Sequence, residues 1–187
     1  MPESSHVELF DRPGGEPVVL QQPSPQWVRL AERWIAAIEH ALSDLRPRVE
    51  HIGSTAVPGL AAKPVIDLQV SVEDVDAEET YRPPLESLGL VVRAREPGHL
   101  FLRPPAGSPR TVHVHVCQQG SSWERDHLLF RDQLRARPEV ASAYAQLKER
   151  LADGVGLDRA AYTEGKSEFI RQVVASAHGG RRLGPRT

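Results

Sequence analysis

Residues 49–70 read VEHIGSTAVPGLAAKPVIDLQV, and their alternation of apolar runs and chain breakers decides the fold. Residues 48–52 are short and β-like. Gly53, Pro58, Gly59 and Pro64 then interrupt the chain too often for a long helix, so residues 53–64 are expected to be a loop. Residues 65–72 predict a buried strand. Strand side chains alternate faces, so Ile66, Leu68 and Val70 share one side and Asp67 and Gln69 the other.

The same logic runs outward in both directions. Upstream, a short strand is expected near residues 18–20. Ser24 can cap a helix and Pro25 suits its first position. Trp27, Leu30, Ala31, Trp34, Ile35, Ile38, Ala41, Leu42 and Leu45 then recur at helical steps, with an end expected near Arg46 and Pro47. Downstream, residues 74–88 predict a helix made irregular by Pro83 and Pro84 and ended by Gly89. Residues 90–93, 99–103 and 111–117 predict strands, and PPAGSP turns between the last two. From Ser122 onward the pattern is helical: one helix stopped before Pro138, a second through Val140, Tyr144, Leu147 and Leu151, and a third through Tyr162, Phe169, Ile170 and Val173. A leading helix, a strand-rich middle and a helical C-terminal third make an α+β fold with a mixed sheet.

In the strand RTVHVHVC, Val112, Val114 and Val116 share one face and His113, His115 and Cys117 the other. If this strand neighbours the Asp67 strand, Asp67, Gln69, His113 and His115 meet in one patch. A carboxylate and two imidazoles so placed suit a divalent metal or general acid–base work. The competing reading is two histidines on a solvated sheet face and an aspartate that caps a loop. Gly53 lets a ligand approach the backbone, and Ser54 and Thr55 offer hydroxyls and N–H groups to a phosphate. Lys63, Arg103, Arg131, Lys148 and Lys166 supply basic charge. Lys63 and Lys166 rank first for phosphate and Arg131 next, unless Arg131 pairs with Asp132 or Glu139. Tyr162 and Lys166 share a helix face. Glu50 and His51 alternate, so only one of them is expected to face the site. Cys117 reads as inert packing.

VEHIGSTAVPGLAAKPVIDLQV resembles the signature of the GrpB family, and HVHV, LLFRDQLRARPEVASAYAQLKERLA and YTEGKSEFI resemble its second half. The likeness covers residues from about 18 to 175. It implies a fold similar to DNA polymerase β-type nucleotidyltransferases: a mixed β-sheet flanked by helices. It also implies a nucleotidyl or phosphoryl group passed to a small acceptor with a divalent metal (Mg, Mn or Zn). The superfamily pattern places a Gly-Ser turn at Gly53 and Ser54, and two carboxylates at positions 67 and 69. A third falls nearest His113 or His115. Only Asp67 is acidic, and Gln69 offers a neutral carbonyl, so a two-Mg²⁺ site is not expected. The alternative is a non-catalytic module binding a nucleotide or phosphorylated ligand. The resemblance gives it a partner enzyme such as dephospho-CoA kinase, in coenzyme A metabolism, to which some members are fused. A third idea is a metal hydrolase built on Asp67, His113 and His115.

Bulk properties agree with a globular protein. The chain has 187 residues, 40% hydrophobic and 26% charged. Its net charge of -2 argues against sequence-specific or general nucleic-acid binding. Cys117 is the only cysteine, which excludes an intrachain disulfide and fits a reducing compartment. No signal-like or membrane-length apolar run is evident, so a cytoplasmic protein is expected. One domain is expected over residues 1–177, with 1–17 as an irregular arm and 178–187 as a flexible tail.

Overall fold

The structure, a computed structural model, describes residues 8–9, 19–155 and 159–180. Strand β1 is Glu8–Leu9 and helix α1 is Pro25–Ala41. Strand β2 is Arg48–Ile52, followed by a 3₁₀ turn at Ser54–Ala56 and strand β3 at Ile66–Val72. Helix α2 is Glu78–Ser87, and β4, β5 and β6 are Val91–Glu96, His99–Arg103 and Val112–Gln118. Helices α3, α4 and α5 are Ser122–Ala136, Pro138–Val155 and Arg159–Gly180.

The sheet order is β1-β4-β5-β6-β3-β2. β3 and β6 run parallel and the other pairs antiparallel, so the sheet is mixed. Helices flank it, and the C-terminal third is helical. The α+β class is therefore as expected. The parallel register sets Ile66 opposite Val112, Leu68 opposite Val114 and Val70 opposite Val116. These six aliphatic side chains form a continuous apolar face, which α1 and α2 cover with Trp27, Ile38, Tyr81 and Leu85. The opposite face carries Asp67 beside His113 and Gln69 beside His115. Helices α3 to α5 pack on that side around a second core of Val57, Leu60, Leu134 and Tyr144.

Local chemistry explains most boundaries. Ser24 Oγ accepts from Gln26 N at 3.2 Å and caps α1, with Pro25 in its first turn. Helix α1 stops at Ala41, earlier than its apolar pattern suggested. Leu42 and Leu45 continue that pattern from a turn, and Arg46 takes a φ of 47° just before Pro47. Pro83 and Pro84 stay inside α2, which is held by its buried Tyr81 and Leu85. Ser121 Oγ accepts from Glu124 N at 3.1 Å and caps α3.

Three expectations need correction. Residues 19–20 form no strand, because Gln21 makes only an isolated bridge to Ala62; residue 18 lies outside the described residues. The N-terminal arm is not wholly irregular, since Glu8 and Leu9 pair with Arg95 and Ala94 and Arg95 binds Glu8 at 2.7 Å. The rest of that arm is outside the described residues. Helix α5 continues to Gly180, so residues 178–180 of the expected tail are helical; residues 181–187 are not described. Among the described residues, no helix is long and apolar enough to cross a membrane.

Candidate functional site

Parallel pairing of β3 and β6 brings Asp67 directly opposite His113. His113 Nδ1 and Asp67 Oδ1 lie 3.0 Å apart. Ligand atoms of Asp67, His113 and His115 all fall within 4.8 Å of one another. All three residues are half-buried and line a cavity of about 630 Å³ between the sheet and helices α3 to α5. Among the described residues, six lysines and arginines line this cavity against two aspartates, Asp67 and Asp126.

Burial works to raise the Asp67 pKa. The hydrogen bond from His113, with the charge of Lys166, outweighs it and holds the carboxyl below its ordinary value. Asp67 is therefore a carboxylate at neutral pH. Burial, reinforced by His99, holds His115 well below the ordinary imidazole value, so it is neutral and has a lone pair to give. His99 Nε2 lies 3.0 Å from His115 Nδ1 and fixes that ring, leaving Nε2 of His115 as the nitrogen open to a ligand. Trp123 stacks on His99 at 4.6 Å, and His127 stacks on Trp123 at 3.6 Å. This aromatic column stiffens the wall behind the site.

The Gly-Ser turn closes over Asp67. Gly53 ends β2 with a φ of 71°, a conformation that favours glycine. A Cβ there would collide with Asp67 Oδ2 and sit 3.0 Å from Asp67 Cβ. Ser54 Oγ accepts from Lys148 Nζ at 3.2 Å, and the same ammonium donates to Ala61 O. Thr55 lines the cavity, but its hydroxyl donates to Val65 O at 3.2 Å. His51 Nε2 must then donate to Thr55 Oγ1, 2.9 Å away. Thr55 thus braces the loop. Lys63 and Lys166 both stand over the Tyr162 ring, with Nζ at 3.9 and 4.6 Å from its centroid. Burial lowers the Lys166 pKa, and the Asp67 charge opposes that fall.

Sequence reasoning placed Asp67, His113, His115, Gly53, Ser54, Thr55, Lys63 and Lys166 on one cavity, and all eight line it. Two other expectations fail. Arg131 is not among the residues that line the cavity: its guanidinium donates to Glu50 Oε2 at 2.7 Å, Asp132 Oδ1 at 2.8 Å and His51 O at 3.0 Å. Its partner is Asp132, as one reading had it, and Glu50 rather than Glu139. Gln69 does not line the cavity: it is fully buried opposite His115, with Nε2 donating to Ser71 Oγ at 3.4 Å. Glu50 is on the site face but is taken by Arg131 and Arg48, and His51 braces Thr55. Cys117 is buried, and burial pushes its thiol up to about 11, so it is inert. Phe101, Arg93, Arg110, His127 and Tyr144 were missed, and they also line the cavity. Only the Trp123–His127 spacing of four gave a signal.

The donor set decides which metal suits the site. Two Mg²⁺ ions do not fit, because they need several carboxylate oxygens and the cluster supplies only Asp67, with Gln69 neutral and outside the cavity lining. One carboxylate and two imidazoles fit a single Zn²⁺ or Mn²⁺.

Comparison with known proteins supports one lineage. The sequence profile described as GrpB protein matches residues 17–176. A UPF0157 protein of Streptomyces coelicolor is 38% identical over 182 residues, covering 97% of this chain and 95% of that protein. The crystal structure of conserved protein GrpB from Enterococcus faecalis is 32% identical with a TM-score of 0.75, covering 87% of this chain and 99% of that one. A dephospho-CoA kinase of Mycolicibacterium paratuberculosis is 31% identical over 190 residues, covering 86% of this chain but 46% of the kinase. With the profile spanning most of its length and its fold shared with a solved member, this chain belongs to the GrpB family.

Proposed function

We propose that the protein binds a nucleotide or related phosphorylated small molecule and transfers its nucleotidyl or phosphoryl group to a small acceptor. The observation that carries this reading is one cavity holding both a metal-suited Asp67–His113–His115 set and a cationic surround. Lys63 and Lys166 neutralise the incoming phosphate, and the Gly53–Ser54 turn offers it a close backbone approach. Without a bound ion, Asp67 orients His113 through their hydrogen bond, leaving its other ring nitrogen to take the acceptor's proton. A single divalent ion held by Asp67, His113 and His115 would supply Lewis-acid neutralisation of developing charge. A cytoplasmic setting suits both this substrate class and the unpaired Cys117.

The test is calorimetric titration with nucleoside triphosphates, with and without Mn²⁺, Zn²⁺ or Mg²⁺, for wild type and Asp67→Ala. Metal-dependent binding that Asp67→Ala loses is expected. No binding, or equal binding by both proteins, overturns Asp67-centred chemistry.

A second reading is favoured by Gln69, which stands buried where a second acidic ligand would serve catalysis. On that reading the cavity binds its ligand without turnover and serves a partner enzyme. Dephospho-CoA kinase is the partner class suggested by relatives that carry a similar segment in a longer chain. Thermal stabilisation by nucleotide without product supports this reading, and any product from a panel of acceptors excludes it.

A further inference from the structure

The Ser54 hydroxyl and the Lys148 amine have no part in the function proposed above. Lys148 is 2% exposed, yet it lines the cavity together with Ser54. Its Nζ stands 3.2 Å from Ser54 Oγ and bonds Ala61 O as well. Tyr144, one turn earlier on α4, puts its ring centroid 5.1 Å from the same nitrogen. Burial raises the Tyr144 phenol, and its side-chain contact with Ser54 works the other way. The turn hydroxyl thus meets two side chains of one helix face.

Among the described residues, the polar atoms that Lys148 bonds are two neutral oxygens, Ser54 Oγ and Ala61 O. The charged groups that act on it are Lys166 from α5 and Glu149 on its own helix. Lys63 stands further round the cavity over Tyr162, and Asp67 acts on Lys166. Burial and the Lys166 charge, against the pull of Glu149, bring Lys148 down to about 8. Near that pH half of the population is a neutral amine. Such an amine donates one N–H to Ala61 O and turns its lone pair to Ser54, whose O–H then donates to it.

We propose that Ser54 and Lys148 form a nucleophile–base dyad for acyl transfer, with a small ester or thioester that bears an anionic group as substrate. Ser54 Oγ attacks the acyl carbonyl carbon while its proton passes to Lys148 Nζ. The bond from that carbon to the leaving oxygen or sulfur then breaks, and Lys148 returns the proton to the leaving group. Water, giving its proton to the same amine, attacks acyl-Ser54; the acid departs and the proton restores the Ser54 hydroxyl. A base with no third group to orient it suits esters and thioesters better than amides, because alkoxide and thiolate leave with less help from an acid. Lys63 and Lys166, both over the Tyr162 ring, supply the positive charge that selects the anionic group. The dyad shares the cavity with the metal-suited set but takes no step through it.

The test is covalent labelling of the full chain with a fluorophosphonate probe, which loses fluoride as its phosphorus bonds to an activated serine. A single label that peptide mass spectrometry maps to Ser54, and that EDTA does not prevent, is expected. Its rate should climb with pH and level off above about 8, as Lys148 loses its proton. Ser54→Ala should abolish the label. Lys148→Met should slow it about a hundredfold or more and remove the inflection, with a melting curve to confirm folding. p-Nitrophenyl hydrogen succinate should turn over with a KM about tenfold below that of the neutral p-nitrophenyl butyrate. No label, a label elsewhere, a label lost with EDTA, or a wild-type rate without an inflection near 8 overturns the dyad, whether or not Lys148→Met folds. Equal KM values for the two esters overturn the anionic substrate class. The nucleotide titrations above turn on metal and Asp67, so their failure leaves a Ser54 label standing.

Discussion

At the residue scale, Gly53 sets the geometry of the whole site. Its φ of 71° and its close approach to Asp67 are two separate demands for the absence of a Cβ. Gly59 isolates the first demand, since its φ is 76° but a Cβ there meets nothing within 4 Å. Gly59→Ala should cost about 1 kcal/mol from backbone strain alone. Gly53→Ala should cost more, about 1–3 kcal/mol, because Asp67 must also move. It should in addition break the contact between Asp67 and His113 and abolish Mn²⁺ or Zn²⁺ binding, which Gly59→Ala should leave intact. Parallel urea melts and metal titrations of the two variants check this. Equal losses of stability with metal binding retained in both would show that Gly53 does not shape the Asp67 environment.

At the element scale, Arg131 fastens α3 to β2 through Glu50 and the His51 carbonyl. Its side chain is 9% exposed and that of Glu50 is 27% exposed, so the pair is partly shielded from solvent. Arg131→Ala should lower stability by about 1–3 kcal/mol, the range for hydrogen bonds to charged groups. The folded variant should keep wild-type nucleotide affinity. Lost affinity with unchanged stability would restore Arg131 to the ligand site. This residue also marks how far the sequence was legible. Alternation in KPVIDLQV and RTVHVHVC was enough to put Asp67, His113 and His115 on the polar face, because period-two patterning survives in any sheet. The parallel pairing that makes them neighbours is a long-range fact, and alternation does not encode it. Arg131 could not be assigned because a helix surface presents it equally well to a ligand or to Glu50 on a distant strand. Arg93 escaped notice for another reason: a bulge re-aims a side chain without changing the apolar pattern around it.

At the scale of the whole molecule, the fold sets a pH window of stability. Burial, opposed by the Asp67 charge, holds His51 down to about 4, and burial with His127 holds His99 to about 4. The unfolded chain takes up these protons near the ordinary value of 6.5, before the folded protein does. Stability should therefore fall as pH drops from about 6.5 toward 4. Lys148 acts at the other end. Burial and the Lys166 charge lower it to about 8, whereas the unfolded chain holds that proton to about 10.5. The folded protein is thus relieved of a buried charge as pH rises above 8, and stability should increase there. From about 9 Cys117, raised to about 11 by burial, begins to oppose this rise, and above about 10 the trend reverses, because Tyr162 is raised to about 12 by burial and the unfolded chain ionises first. Urea melts at fixed pH steps should show a plateau between about 6.5 and 8, a rise toward 10 and a fall beyond. Lys148→Met should shrink the rise to the part that Lys166, also lowered by burial, contributes, and should leave the acid limb unchanged, while His51→Gln should soften the acid limb alone. A rise undiminished in Lys148→Met would mean that its ammonium is not confined beside Ser54 and Ala61, and the description of the Gly-Ser turn would have to change with it.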